Sequence, residues 1–266
     1  MVFVVFYLLI LQIYVNGEPS CYETKTPDVT EGNIGETKHF PWLGVLRVHS
    51  HDGPTMKIGL TGLVLIKHNY GVANAHDVAG VHKSDLARET RAMFILKDGE
   101  SWSCAVRDKH LHPEYEYITY NTIALIELDY EFNDDLIPIC TPNINYNTKN
   151  QLYAVGFVDD NKLLEKAIYN IEYVNRDLCD DFYNRVGFKY EDSFYKPTTY
   201  HCGVAKNNKK NCMWDNGMVL ASNTTGTWVL IGFSIKGPGC SAPIRFLDML
   251  SYLPWIETST DQVNIY

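Results

Sequence analysis

The chain has 266 residues, with 32 acidic and 23 basic side chains and a formal net charge of −9. That length suits one domain built from two subdomains, large enough to bury a substantial core. An acidic chain is a poor candidate for binding nucleic acid or an anionic membrane, because phosphate attracts clustered Lys and Arg. We therefore predict neither of these as a partner.

The N-terminus carries an apolar segment. Its first 15 residues, MVFVVFYLLILQIYV, are almost wholly apolar and lead into Asn16 and Gly17. This is shorter than the roughly 20 residues that cross a bilayer, so we predict a secretory signal peptide over 1–17. The segment has no Lys or Arg before its apolar core, and a short membrane anchor is the alternative. The mature protein is predicted to be secreted, extracellular and able to form disulfide bonds.

The rest of the chain is predicted to be mainly β-structure. Short runs rich in β-branched and aromatic residues alternate with Gly, Asn, Asp and Pro clusters, a pattern typical of β-sandwiches and barrels. In chain order the predicted strands are VLRVHS (45–50), MKIGLTGLVLI (56–66), RAMFILKD (91–98), TIALIELD (122–129), LYAVGFV (152–158) and TWVLIGFSI (227–235).

Two helices are predicted among these strands. Asn175 is a suitable N-cap for a helix over 175–183, in which Leu178, Phe182 and Tyr183 recur about one turn apart. The second predicted helix is FLDMLSYLPWIE, where apolar residues recur at helical spacing. Its proline is expected to bend the helix or to mark its boundary. No internal repeat, low-complexity segment or linker divides the chain.

Several motifs follow one another in a fixed order. GVANAHDVAG places His76 after a strand of small residues, YNTIALIEL contains Thr122, and CMWDNGMVL contains Asn216. HFPWLGVL, HPEY, WVLIGFSIKGPGC and SYLPWIE complete the series. In order, spacing and flanking hydrophobic residues, these motifs resemble the chymotrypsin–trypsin family of serine proteases over about residues 29–257. The resemblance implies an all-β fold of two six-stranded barrels with a C-terminal helix.

The same resemblance assigns roles to the motif residues. His76 falls at the general base, Thr122 at the buried aspartate and Asn216 at the nucleophilic serine. Asn has no ionisable oxygen to attack a carbonyl, and Thr has no charge to stabilise an imidazolium. The oxyanion-hole glycine is replaced by Trp214, and the second glycine after the nucleophile by Met218. We therefore predict an inactive protein in which His76 has mainly a structural role.

The specificity pocket and the activation site also depart from the family pattern. The resemblance places Lys210 at the floor of the pocket and Lys236 and Ile244 on its glycine-lined walls. Side chains of this size would fill a slot that admits a substrate residue. The predicted activation position falls before Val29, and the residue at the cut is Asp28, which is not basic. We predict an N-terminal extension over 18–28 and an inactive protease domain over 29–266.

The positions of the seven cysteines agree with this correspondence between the chain and the family. The resemblance pairs Cys21 with Cys140, Cys179 with Cys202, and Cys212 with Cys240. The family disulfide beside the catalytic histidine is absent, because its two positions are Thr61 and Asp77. Cys104 is left over, and we keep two alternatives for it: a buried free thiol or a disulfide to a partner chain.

Three further features of the sequence are candidate sites. Asn223 begins the N-T-T sequon in a predicted hairpin tip, so glycosylation is predicted there. The basic stretch 206–212 is interpreted as a solvated loop, with a polyanion site as the alternative. His49 and His51 have no companion at metal-ligand spacing, and we expect neither a metal nor a cofactor.

Our functional hypothesis is a secreted, non-catalytic serine protease homologue that binds a protein partner: a protease, a zymogen or an inhibitor. The resemblance suggests a regulator or cofactor of a protease cascade or innate immune response, similar to insect serine protease homologues. Two alternatives remain. One is an active or residual serine-type endopeptidase or other hydrolase that uses His76; the other is a carbohydrate- or polyanion-binding module on the same fold.

Overall fold

A computed structural model describes residues 21, 32–35, 39–52, 55–96, 100–116, 119–130, 135–143, 151–160, 163–187, 199–206, 217–223, 226–235 and 243–261. The predicted signal peptide and nearly all of the predicted N-terminal extension lie outside these residues. Within them, no helix has the length and apolar character needed to cross a membrane. The first strand, β1 (Gly32–Gly35), is short and joins the second of two barrels.

The first barrel is closed by six antiparallel strands from the N-terminal half. They are β2 (Leu43–Asp52), β3 (Thr55–Lys67), β4 (Tyr70–Asn74), β5 (Arg91–Ile95), β6 (Ser101–Leu111) and β7 (Ile123–Asp129). They pair in the ring β2-β3-β4-β7-β6-β5. The apolar side chains of Leu46, Leu63 and Phe94 are buried in the core. Their removal from water is the main stabilising contribution here.

The second barrel uses the same antiparallel design. Its strands are β8 (Leu152–Asp160), β9 (Leu163–Tyr173), β10 (Tyr200–Ala205), β11 (Val219–Ser222), β12 (Val229–Ser234) and β13 (Ile244–Asp248). They form the ring β8-β9-β10-β13-β12-β11, which β8 closes by pairing with β9. Strand β1 adds to the edge of β9, with Gly32 opposite Ile168. The predicted fold of two six-stranded barrels is confirmed.

Four helices lie within the described residues: α1 (Ala75–Val78), α2 (Lys83–Glu89), α3 (Arg176–Arg185) and α4 (Met249–Asp261). Helix α3 begins as predicted, with the Asn175 side chain accepting a 2.9 Å hydrogen bond from the Leu178 N–H. Its buried residues are Cys179 and Tyr183, whereas Leu178 is exposed.

The C-terminal helix differs from its prediction in two respects. Phe246, Leu247 and Asp248 belong to β13, where they pair with β12, so the helix begins later at Met249. The helix also continues through Pro254 to Asp261, so the expectation that this proline marks a boundary is wrong. Proline lies about one turn into the helix, where it removes a single N–H donor.

Two of the three predicted disulfides are present. Cys21 bonds to Cys140, and Cys179 bonds to Cys202. The predicted pair Cys212–Cys240 lies outside the described residues. Cys104 is buried in the first barrel and has no disulfide partner, and burial raises the pKa of its thiol to about 12. Of the two alternatives, the structure favours the buried free thiol.

Cys104 is expected to resist iodoacetamide in the native protein and to react after denaturation, because the reagent requires an accessible thiolate. Peptide mapping without reduction would measure both the modification and the two disulfides. Rapid modification of the native protein at neutral pH, or a disulfide between Cys104 and another cysteine, would contradict this expectation.

Candidate functional site

Two of the predicted triad positions meet where β4 leads into α1. Asn74 caps this helix: its Oδ1 accepts the backbone N–H of His76 at 3.0 Å and the hydroxyl of Thr122 at 2.5 Å. The Thr122 Oγ1 in turn accepts the His76 N–H at 3.3 Å. The Ala75 N–H donates to the Thr122 carbonyl at 3.2 Å. The fold therefore brings together two motif residues that are 46 positions apart.

The chemistry of this pair is that of a structural contact. Thr122 is fully buried, and its hydroxyl is engaged by Asn74 and by the backbone of His76. The His76 side chain is half-buried, and in the described part of the chain its imidazole has no hydrogen-bond or ion-pair partner. A catalytic histidine of this kind is normally oriented by a buried carboxylate. Thr122 supplies none.

The positions predicted for the nucleophile, the oxyanion hole and most of the specificity pocket lie outside the described residues: Asn216, Trp214, Lys210 and Lys236. The residues that follow Asn216 are described. The backbone N–H groups of Gly217 and Met218 donate to the Ser234 Oγ at 3.0 and 2.6 Å. These bonds hold the chain just after the predicted nucleophile position against β12.

Gly217 also contacts the first barrel. It has φ of +98°, and the backbones of Gly217 and Gly62 approach so closely that neither residue has room for a Cβ atom. Ile244, the described pocket position, lies half-buried on β13 opposite Gly203. The two barrels therefore meet beside position 216 through direct backbone packing.

Thr61 and Asp77, the positions of the missing family disulfide, line one cavity of about 190 Å³. Its other lining residues are Val48, Lys57, Ile58, Gly59 and Leu60. Because Asp77 follows His76 in α1, this cavity lies next to the histidine. The correspondence of these two positions to a family disulfide stays a prediction.

Two residues that organise the site were missed from the sequence. Asn74 carries a recognisable signal, because an asparagine directly before a short helix is a favoured N-cap. Ser234 carries none, because its bonds to Gly217 and Met218 are 17 and 16 residues away along the chain. Only the tertiary structure identifies this serine as the support of the segment after position 216.

The structure describes part of the predicted glycosylation site. Asn223 is half-buried between β11 and β12, and its Oδ1 accepts the Gly226 N–H at 3.0 Å. Its Nδ2, the atom that would carry a glycan, is buried. Attachment of a glycan to the folded chain would require this amide to turn outward. Glycosylation at Asn223 stays a prediction.

Comparison with known proteins supports the relation to proteases. No protein-family profile matches the chain. It is similar to the CLIP domain-containing serine protease B4 of Anopheles gambiae, with 24% identity over 93% of this chain and 73% of that protein. Over nearly its whole length the chain therefore resembles a serine protease, and its two six-stranded barrels have the trypsin-like fold.

Proposed function

We propose that the protein is a secreted serine protease homologue that lacks catalytic activity and acts by binding another protein. The observation that carries this proposal is the environment of His76. The position expected to hold a buried carboxylate holds Thr122, whose hydroxyl is engaged by Asn74 and by the His76 backbone. Asn216, which cannot serve as an acyl nucleophile, supports the same conclusion from the sequence.

The expected loss of activity is large. Removing the carboxylate alone lowers turnover by about 10⁴-fold in a well-studied protease, and removing the serine lowers it by about 10⁶-fold. The two losses are not additive, because both residues act in one proton-transfer unit. Either loss alone is expected to lower turnover by at least about four orders of magnitude.

Secretion and a role alongside proteases have separate support. Cys21–Cys140 and Cys179–Cys202 are disulfides, and such bonds persist in oxidising, extracellular compartments. The similar Anopheles protein is named as a CLIP-domain serine protease. We therefore propose a protease, zymogen or protease inhibitor as the partner, and regulation of a protease cascade or an innate immune response as the role.

The purified protein is expected neither to hydrolyse a broad peptide library nor to react with a serine-directed fluorophosphonate. The Asn216→Ser variant is expected to stay inactive, because the new hydroxyl would still face a histidine without a carboxylate partner. Release of a fluorogenic product measures turnover, and His76→Ala in the same background is the matched control. Turnover that His76→Ala abolishes would support the hydrolase alternative and overturn the inactive assignment.

Binding of heparin through the basic stretch 206–212 would favour the polyanion-binding alternative.

A further inference from the structure

The β2–β3 hairpin presents an apolar stripe. Met56, Ile58 and Leu60 alternate along β3, and they are 53%, 52% and 55% exposed. Alternate residues of a strand share one face, and large apolar residues on such a face usually pack against a core. Among the described residues nothing covers this face enough to bury them. Three adjacent exposed apolar side chains indicate an interaction surface.

Among the described residues, β3 has a paired strand on only one side along this stripe. Residues 55–60 pair with β2 on one side, whereas β4 pairs with β3 only from Leu63 onward. In the described part of the chain, no strand lies on the other side of residues 55–60. An open edge presents backbone donors and acceptors to which an extended segment can add.

Two arginines extend this face. Leu60 of β3 lies opposite Arg47 of β2, and Arg47 lies opposite Arg91 of β5. Opposite residues on antiparallel strands project from the same face with Cβ atoms about 5 Å apart, and like charges placed there are destabilising. Neither arginine forms a salt bridge with a residue that the structure describes. Arg91 does donate one hydrogen bond, to the Thr90 carbonyl at 2.8 Å.

One carboxylate and one further apolar side chain lie near this pair. The carboxylate of Glu89 lies 3.7 Å from the Nδ1 of His49, and His49 lies opposite Ile58. Two residues after Arg91 on β5, Met93 is 38% exposed and lies opposite Val45. Positive charge and apolar surface are therefore adjacent on a chain whose net charge is −9.

We propose that this surface is the docking site for a protein segment that combines apolar side chains with carboxylates. The surface, called the basic apolar face, comprises Arg47, Met56, Ile58, Leu60, Arg91 and Met93. A carboxylate placed between the two guanidinium groups would replace repulsion by attraction, with the fork geometry that arginine offers to carboxylates. Apolar side chains beside it would remove the β3 stripe from water.

The overall negative charge does not prevent this recognition. Charges farther apart than about 8 Å are largely screened at physiological ionic strength, so the local arginine pair dominates at contact. This inference rests on the proposed function, because it names the surface and the partner chemistry of a protein that acts by binding.

The probe is a fluorescein-labelled peptide of alternating Leu and Glu, compared with a peptide in which Lys replaces Glu. Fluorescence anisotropy with the full chain is expected to give at least about tenfold tighter binding of the acidic peptide, with affinity that falls as salt rises. Arg47→Glu is expected to weaken binding about tenfold. Ile58→Thr, which keeps a β-branched residue on the strand, is expected to weaken binding severalfold. Arg185→Glu is the matched control, because Arg185 is 69% exposed on α3 of the other barrel.

Equal affinity for the two peptides, or binding that Arg47→Glu leaves unchanged, would overturn the assignment of this face. Tighter binding of a heparin oligosaccharide than of the acidic peptide would overturn the choice of a protein partner. These outcomes would leave the proposed lack of catalytic activity standing, because peptide hydrolysis tests that part of the proposed function. Hydrolysis by the parent protein would instead overturn the proposed function. The peptide-binding result would still test the basic apolar face.

Discussion

Replacement of Gly62 by alanine is expected to lower the free energy of unfolding by about 3 kcal/mol, near the upper end for overpacking. A Cβ atom on Gly62 would lie 2.3 Å from the carbonyl oxygen of Gly217 and 2.9 Å from its carbonyl carbon. These are backbone atoms, which cannot move away by changing a rotamer. The Gly217 N–H is also held by the Ser234 Oγ at 3.0 Å, so the segment after position 216 resists displacement.

The same strand provides the control. Gly59 of β3 is exposed, and a Cβ atom placed there would meet nothing within 4 Å. Gly59→Ala is therefore expected to change stability by less than about 0.5 kcal/mol. Urea unfolding followed by tryptophan fluorescence would measure both variants, and a 3 kcal/mol loss corresponds to a fall of about 6–12 °C in Tm for a chain of this size. Equal stability of the two variants would contradict the close packing of Gly62 on Gly217.

Between pH 7 and pH 9, the parent protein is expected to gain about 2 kcal/mol of stability relative to Lys166→Met. Lys166 of β9 is fully buried, and burial lowers the pKa of its amine to about 7. Its Nζ donates to the carbonyls of His39 and Phe40 at 2.8 and 3.0 Å. A neutral amine has two N–H donors, so these two acceptors satisfy it without a charge.

The sign follows from proton binding in the two states. An unfolded lysine has a pKa near 10.4, whereas the folded value for Lys166 is about 7. Between these values the unfolded chain holds a proton that the folded chain has released, so stability rises with pH by up to about 1.4 kcal/mol per unit. Below the folded pKa both states are protonated, and this contribution no longer changes with pH.

Urea unfolding of both proteins at pH 6, 7, 8 and 9 would measure this effect. Lys83→Met is the control, because the pKa of Lys83 is raised by its hydrogen bond to Asp108 and the residue therefore stays charged over this range in both states. Its pH profile is expected to run parallel to that of the parent protein. A parallel profile for Lys166→Met as well would contradict a neutral buried lysine.

Strands with a strong apolar run were predictable, and several strands without one were missed. The predicted run MKIGLTGLVLI lies within β3, and LYAVGFV lies within β8. Strands β6 and β9 were missed, because SWSCAVRDKHL and LLEKAIYNIEY mix charged and apolar residues. Such sequences become strands because neighbouring strands complete their hydrogen bonds and cover one face, and local propensity does not report either contribution.

At the candidate site, the sequence by itself determined which atoms are present. Thr122 and Asn216 lack the carboxylate and the nucleophilic hydroxyl of a serine protease, and no fold can supply atoms that the side chains do not have. The order of the motifs also predicted that His76 lies near Thr122, because the two corresponding positions are in contact in the family that the chain resembles. These conclusions depend on residue identity and need no distances.

Tertiary structure alone decided how other residues behave. Burial by distant parts of the fold lowers the pKa of Lys166 to about 7, and its two carbonyl acceptors belong to residues 127 and 126 positions away in the chain. Arg47 and Arg91 are 44 residues apart, and only the pairing of β2 with β5 sets their charges against each other. Charge states and unpartnered surfaces are properties of the environment, and that environment is assembled from segments far apart in the chain.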